Sequence, residues 1–214
     1  MIEKILSLNV GIWTRNRKKS DPFYWKDRMK AMKRMLEDQD PDIICFQELW
    51  FPANLFIPKK YKKVFGTGLE HPIYIKKGLK HGLGKFSYYW SMVKVEGMRV
   101  FSIHGHWDKE ITESICDSLK GVCMKDSTPA ILAGDWNVEC KALKQYVQPL
   151  TSAREDCGLP REVTYIHFHD PRRAGEIDHF ILYHVYPKNY GIVHNGYGSP
   201  DGRISDHYPI IVSL

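Results

Sequence analysis

Ala133-Gly134-Asp135-Trp136-Asn137 follows the apolar run Ala130-Ile131-Leu132, so Asp135 and Asn137 stand where a buried strand opens into a loop. Strand alternation points both side chains the same way, and a carboxylate and a carboxamide then share one pocket. That pairing suits phosphate chemistry: the carboxylate holds a water or takes its proton, and the amide donates to a charged oxygen. By itself a Gly-Asp-x-Asn segment also fits a simple turn. Whether other strands end in the same kind of group decides between the two.

Towards the N-terminus, Ile2 to Val10 reads as a core strand closing on Asn9 and Gly11, and Asp42-Ile43-Ile44-Cys45-Phe46 as a buried strand ending in Gln47-Glu48. Between them Ser20 or Asp21 caps a helix, with Pro22 in its first turn and Trp25, Met29, Met32 and Leu36 along one face. Tyr61 to Phe65 and Ile73 to Ile75 are short strands in a stretch broken by proline and glycine. The segment His81-Gly82-Leu83-Gly84-Lys85 lacks the spacing of a phosphate-cradling loop and reads as a connection. Phe86 to Val95 and Arg99 to His104 form a hairpin joined by Glu96-Gly97-Met98, which leaves His104 at a strand end. Asp108 then caps a helix with Ile111, Ile115 and Leu119 on one face and Gly121 as its stop.

Beyond the opening stretch, a helix from about Glu139 to Val147 buries Ala142, Leu143 and Tyr146 and ends before Pro149. Val163 to Ile166 reads as a strand that the chain leaves through His167, Phe168, His169 and Asp170. Glu176 to Leu182 is a strand carrying Asp178 inside its apolar run, and a buried aspartate calls for a histidine or a metal beside it. Asp206 and His207 precede the last strand, around Ile210 to Val212. No linker or internal repeat divides these elements, so 1–214 reads as one domain.

Composition agrees with a globular protein: 214 residues, 43% hydrophobic and 26% charged. The formal net charge of +6 favours polyanionic partners, nucleic acid or anionic lipid headgroups. Arg15 and Arg17, in a basic loop, and the pair Arg172-Arg173 are the candidate substrate contacts. The sequence shows neither a signal-peptide pattern nor an apolar run long enough to span a bilayer, and the expectation is an intracellular, cytoplasmic protein. Cys45, Cys116, Cys123, Cys140 and Cys157 lack C-x-x-C spacing and read as reduced packing residues.

Six segments thus place an acid, an amide or an imidazole at or beside the end of an apolar strand: Asn9, Glu48, His104, Asp135 with Asn137, Asp178, and Asp206 with His207. In this pattern the chain resembles the endonuclease/exonuclease/phosphatase superfamily of deoxyribonuclease-like phosphoesterases. The segments that carry the resemblance are Leu8-Asn9-Val10, Ile44 to Glu48, Ile103-His104, Gly134 to Asn137, Ile177 to Phe180, and Ser205 to Ile210, in the family's order. Gly11 stands where some apurinic endonucleases carry a second acid, and His104 where they carry tyrosine, as in the deoxyribonuclease-like branches.

The resemblance implies a four-layer α/β/β/α sandwich of two mixed β-sheets with outer helices, and an active site at one end of it. It implies a metal-dependent phosphodiester hydrolase, a nuclease in the first instance, with phosphoinositide, sphingomyelin or small nucleotide substrates as the alternatives. Glu48 would hold Mg²⁺, or Mn²⁺ in its place, with Asn9 and Asp206 as direct or water-mediated ligands. Asp135 would orient or deprotonate the attacking water. Asn137 and His104 would contact the phosphate, and His207, polarised by Asp178, would stabilise it or act as acid/base.

Two rivals compete. His104-Gly105-His106-Trp107-Asp108 is similar to the H-x-H-x-D-H zinc motif of the metallo-β-lactamase fold, with His167 and His169 as further ligands, but Lys109 stands where the final histidine belongs. The other is a catalytically silent nucleic-acid-binding module of the same fold.

Overall fold

A computed structural model describes residues 1–11, 24–194, 196–198 and 203–214 of the chain. In chain order, the first half holds β1 (Lys4–Asn9), α1 (Trp25–Gln39), β2 (Ile43–Gln47), β3 (Tyr61–Lys63), β4 (Ile73–Lys76), β5 (Lys85–Phe86), β6 (Trp90–Val95) and β7 (Met98–His104). The second half holds α2 (Lys109–Cys123), β8 (Ala130–Asp135), α3 (Cys140–Val147), β9 (Thr151–Ser152), α4 (Ala153–Asp156) and β10 (Tyr165–Ile166). It closes with β11 (Ala174–Gly175), β12 (Asp178–Tyr183), β13 (Asn189–Ile192) and β14 (Ile210–Ser213).

Two six-stranded sheets result, in the orders β13-β14-β1-β2-β4-β3 and β5-β6-β7-β8-β12-β9. Each is mixed, with one parallel pair near its centre: β1 with β2, and β7 with β8. Successive residues of these strands feed different cores, as the two-residue period requires. Ile5, Ile43, Cys45, Ile131, Ala133, Phe180 and Val212 fill the layer between the sheets. Leu6, Leu8, Ile44 and Phe46 face Met29, Met32, Met35 and Leu36 of α1. Leu132 and Ile181 pack with Ile115 and Leu119 of α2 and Leu143 of α3. The architecture is therefore the expected four-layer sandwich, each fully buried large aliphatic side chain contributing on the order of 2 kcal/mol. Among the described residues no helix is long and apolar enough to cross a membrane.

Several boundaries differ from the sequence expectations. The hairpin connection is two residues, Glu96-Gly97, because both adopt positive φ (47° and 90°), and Met98 pairs with Val95 inside the ladder. Phe86 does not continue β6: a bond from Ser87 N to Trp90 O, 2.7 Å, turns the chain, and Lys85–Phe86 folds back as a separate strand. Helix α2 runs past Gly121 to Cys123, which is fully buried and anchors the last turn. In α3, Cys140, Leu143 and Val147 form the buried stripe, whereas Ala142 and Tyr146 are half-buried. The strand expected at Val163 to Ile166 contracts to Tyr165–Ile166. The cap at Ser20 or Asp21 lies outside the described residues.

The two parallel pairs decide where the site forms. Their C-terminal ends, Asn9 beside Gln47 and His104 beside Asp135, come to the same end of the sandwich. Polar bonds between the sheets brace that end: Gln47 Nε2 donates to Ser102 Oγ (3.1 Å), whose hydroxyl donates to Phe46 O (2.8 Å). All three groups are buried, and each bond removes a desolvation cost of about 1–3 kcal/mol.

Candidate active site

Asp135, 2% exposed at the end of β8, is the hub. Its Oδ2 accepts from Asn9 Nδ2 at 3.0 Å and lies 3.7 Å from His207 Nε2 and 3.9 Å from His104 Nε2. Its Oδ1 accepts from the backbone N–H of Asn137 at 2.8 Å. Asn9 Nδ2 also donates to Glu48 Oε1 at 3.1 Å, while Asn9 Oδ1 accepts from Gly11 N at 2.9 Å. The amide therefore presents its nitrogen to the two carboxylates and ties the sheets together, so an Asn9 contact to a metal fits best through water. Glu48 and Asn137 follow their strands with φ of 52° and 55°, left-handed conformations that aim them into the same cleft.

His207 is the second centre. Its Nδ1 lies 3.2 and 3.0 Å from the two oxygens of Asp178, which is 2% exposed. Burial works against the imidazolium, but the Asp178 and Asp135 charges and the bond to Asp178 outweigh it and hold His207 well above its ordinary value. Burial lifts the Asp178 carboxyl in turn. His104 follows the same pattern: burial lowers it, and the bond to Glu70 (3.2 Å) with the charges of Asp135 and Glu48 raises it overall.

A cleft of about 490 Å³ opens onto this cluster, walled by Glu48, His104, Asp135, Asn137, Asp206 and His207 together with Tyr165, His167 and Arg173. Three of those walls are carboxylates, from Glu48, Asp135 and Asp206. Hard oxygen donors of net negative charge, with room left for water, fit Mg²⁺ or Mn²⁺. Asp135, Asp178 and His207 also bring ligand atoms within 4.8 Å of one another, but His207 Nδ1 is already committed to Asp178. A further buried group, Cys140, Glu176 and His179, has the same spacing. There Arg154 stands 2.5 Å from Glu176 Oε1 and 3.5 Å from Cys140 Sγ, so a cation already fills the place.

The structure brings Asn9, Glu48, His104, Asp135, Asn137, Asp178, Asp206, His207 and Arg173 to this end of the sandwich. Arg172 is not among the cleft residues: its side chain is 91% exposed and pairs with Asp170 at 2.8 Å. Arg15 and Arg17 lie outside the described residues. The zinc-like motif does not assemble: Asp108 caps α2 by accepting from Glu110 N and Ile111 N, and His106 accepts from Asp108 N and stacks on Trp107.

Sequence reasoning missed three supporting residues. Thr164 Oγ1 accepts from Ile177 N and Asp178 N, both at 3.0 Å, and fixes the start of β12. Tyr165 sets its ring 4.8 Å from that of His207. Glu70 bonds His104 from a loop with no periodic signal. The neighbours of Thr164 and Tyr165, His167 to Asp170, offered the one local hint: a run of polar groups leaving a short strand.

Residues 20–207 match the model of the endonuclease/exonuclease/phosphatase family. The chain belongs to that family. Members of the endonuclease/exonuclease/phosphatase family are divalent-metal-dependent hydrolytic phosphoesterases, and the chain is an enzyme of that kind, which sets aside the silent binding module. Similar solved structures include D. rerio TDP2 complexed with a single-strand DNA product, at 17% identity and a TM-score of 0.77 over 99% of this chain and 98% of that one. An endonuclease/exonuclease/phosphatase from Bacteroides vulgatus matches at 14% identity and a TM-score of 0.77, over 100% and 98% of the two chains. A mannosyl-6-phosphatase of Bacteroides thetaiotaomicron matches at 20% and 0.68, covering 98% of each. At these identities the neighbours share the fold of the family. No curated protein matches the chain at a significant level.

Proposed function

We propose that the chain is a Mg²⁺-dependent phosphodiesterase that cleaves nucleic acid by in-line attack of water on phosphorus. The observation that carries this is the position of Asp135 between Asn9 and His207, an acceptor for a water proton facing a protonated imidazole across one cleft. Asp135 orients the water and takes its proton, while Asn9 holds the carboxylate in place. His207, kept charged by Asp178, donates to a phosphoryl oxygen, and His104, Asn137 and Arg173 complete the set of donors around it. Glu48 and Asp206 would hold the ion. When bound, Mg²⁺ offsets charge on the phosphoryl and leaving oxygens.

Two facts favour a polynucleotide over a small phosphate ester. The formal net charge is +6, and a neighbour of the same fold is described with a single-strand DNA product. The test is a hydrolysis panel of single- and double-stranded DNA, RNA, phospholipid, nucleotide and sugar phosphate, with Mg²⁺ and with chelator. Mg²⁺-dependent cleavage of nucleic acid, lost in Asp135→Asn, is expected. Turnover confined to sugar phosphate or to lipid would overturn the assignment.

A further inference from the structure

A second cavity of about 690 Å³ adjoins the catalytic cleft and shares Glu48 and His104 with it, yet none of the catalytic roles above uses it. Its volume lies within the range of about 300–1,000 Å³ typical of pockets for small organic groups. Trp50, Phe51 and Tyr74 supply rings, Leu49 and Leu69 apolar walls, and Asn54 and Lys63 polar groups. Trp50 is held edge-on against Trp25 (centroids 5.3 Å apart) and is 6% exposed, a fixed wall. Phe51 and Leu69, by contrast, are 76% and 82% exposed. Two large apolar side chains held in water beside a charged cleft are poised to cover something.

We propose that this cavity is a subsite for a nucleobase of the substrate, next to the scissile phosphate. The inference rests on the phosphodiesterase reading and adds what part of the substrate is recognised. Continuity through Glu48 and His104 places the occupant of the cavity within covalent reach of a phosphate in the cleft. The mixture of walls selects its chemistry. Asn54 and Lys63 are exposed at the rim, where they can donate hydrogen bonds that an acyl chain has no group to accept. A base offers a flat face to the exposed Phe51 ring, with Trp50 as the fixed wall behind, and polar edges to the Asn54 carboxamide and the Lys63 ammonium.

The test compares a short oligothymidylate with a chain of equal length built from abasic deoxyribose phosphate, identical in charge but without bases. Stacking on one aromatic residue accounts for roughly tenfold in affinity. The wild-type protein is expected to favour the oligothymidylate about tenfold in kcat/KM. In Phe51→Ala/Leu69→Ala the preference is expected to collapse towards one. A preference that survives the double substitution, or an equal fall on both substrates, overturns the subsite. So does a Phe51-dependent activity seen only on phosphatidylcholine vesicles.

Binding of the same two fluorescently labelled chains to the Asp135→Asn protein, followed by anisotropy, separates the two claims. Base-dependent binding that Phe51→Ala abolishes supports the subsite even where the wild-type protein cleaves neither chain, in which case the phosphodiesterase reading alone falls. Cleavage with base-independent binding leaves the phosphodiesterase reading standing and removes the subsite.

Discussion

His207 Nδ1 faces both carboxylate oxygens of Asp178, at 3.2 and 3.0 Å, with both side chains buried, Asp178 at the start of β12 and His207 in the segment that leads into β14. The carboxylate keeps the imidazole charged and turns its Nε2 towards Asp135, 3.7 Å away. Asp178→Asn removes the charge and leaves the shape, so turnover is expected to fall about 10²–10⁴-fold. The alkaline limb of the pH profile should move to lower pH, since the raised histidine value depends on that carboxylate. Steady-state kinetics across pH checks both. An unchanged profile would remove Asp178 from the mechanism.

Asn9 donates to Glu48 and to Asp135 from one nitrogen. Asn9→Ala frees Glu48 and is expected to raise the Mg²⁺ concentration for half-maximal activity about 10–100-fold, as loss of a group orienting a metal ligand does. Activity titrated with Mg²⁺ reads this directly.

Arg173 stands at the cleft and Arg172 points into solvent with Asp170 as partner. On the proposed mechanism Arg173→Ala would remove a charge-assisted bond to the phosphate of about 1.5–3 kcal/mol, which predicts a KM raised about tenfold or more. Arg172→Ala should stay within about twofold. Equal effects at the two positions would show that only net charge matters.

His179 is buried, with Nε2 2.9 Å from Val138 O, and burial pushes it down to about 4. The unfolded chain takes up the proton near the ordinary value of about 6.5, whereas the folded chain resists until about 4. The unfolded state thus binds more protons in that window, and stability falls as pH drops through it, by about 3 kcal/mol from this residue. Urea midpoints between pH 7 and pH 4 should decline less steeply in His179→Gln than in the wild-type protein.

Gly134 lies in β8 directly beside Ile103 of β7, and a Cβ there would stand 2.0 Å from Ile103 O. Backbone cannot yield as a side-chain tip does, so Gly134→Ala must push apart the strands that carry His104 and Asp135. A loss of about 3 kcal/mol or more in unfolding free energy is expected, with activity falling further than stability. Chemical denaturation alongside kinetics tests it.

What the sequence determined by itself was local: which residues alternate into strands, and where a polar group ends an apolar run (Asn9, Glu48, His104, Asp135), lies within one (Asp178) or precedes one (Asp206). Those signals span a few residues, the range over which strand and helix periods act. Their boundaries slipped where backbone geometry overrides pattern, as at Glu96-Gly97 with its two positive φ values. Tertiary structure alone decided which atoms meet. The bond between Asn9 and Asp135 joins positions 126 apart in sequence, and no periodicity encodes it. The same holds for Glu70 behind His104, Thr164 under β12, Arg173 rather than Arg172 at the cleft, and the cavity beside Glu48. Each exists because two sheets stack with the ends of their parallel strands in register, and that register is set by the packing of the whole core.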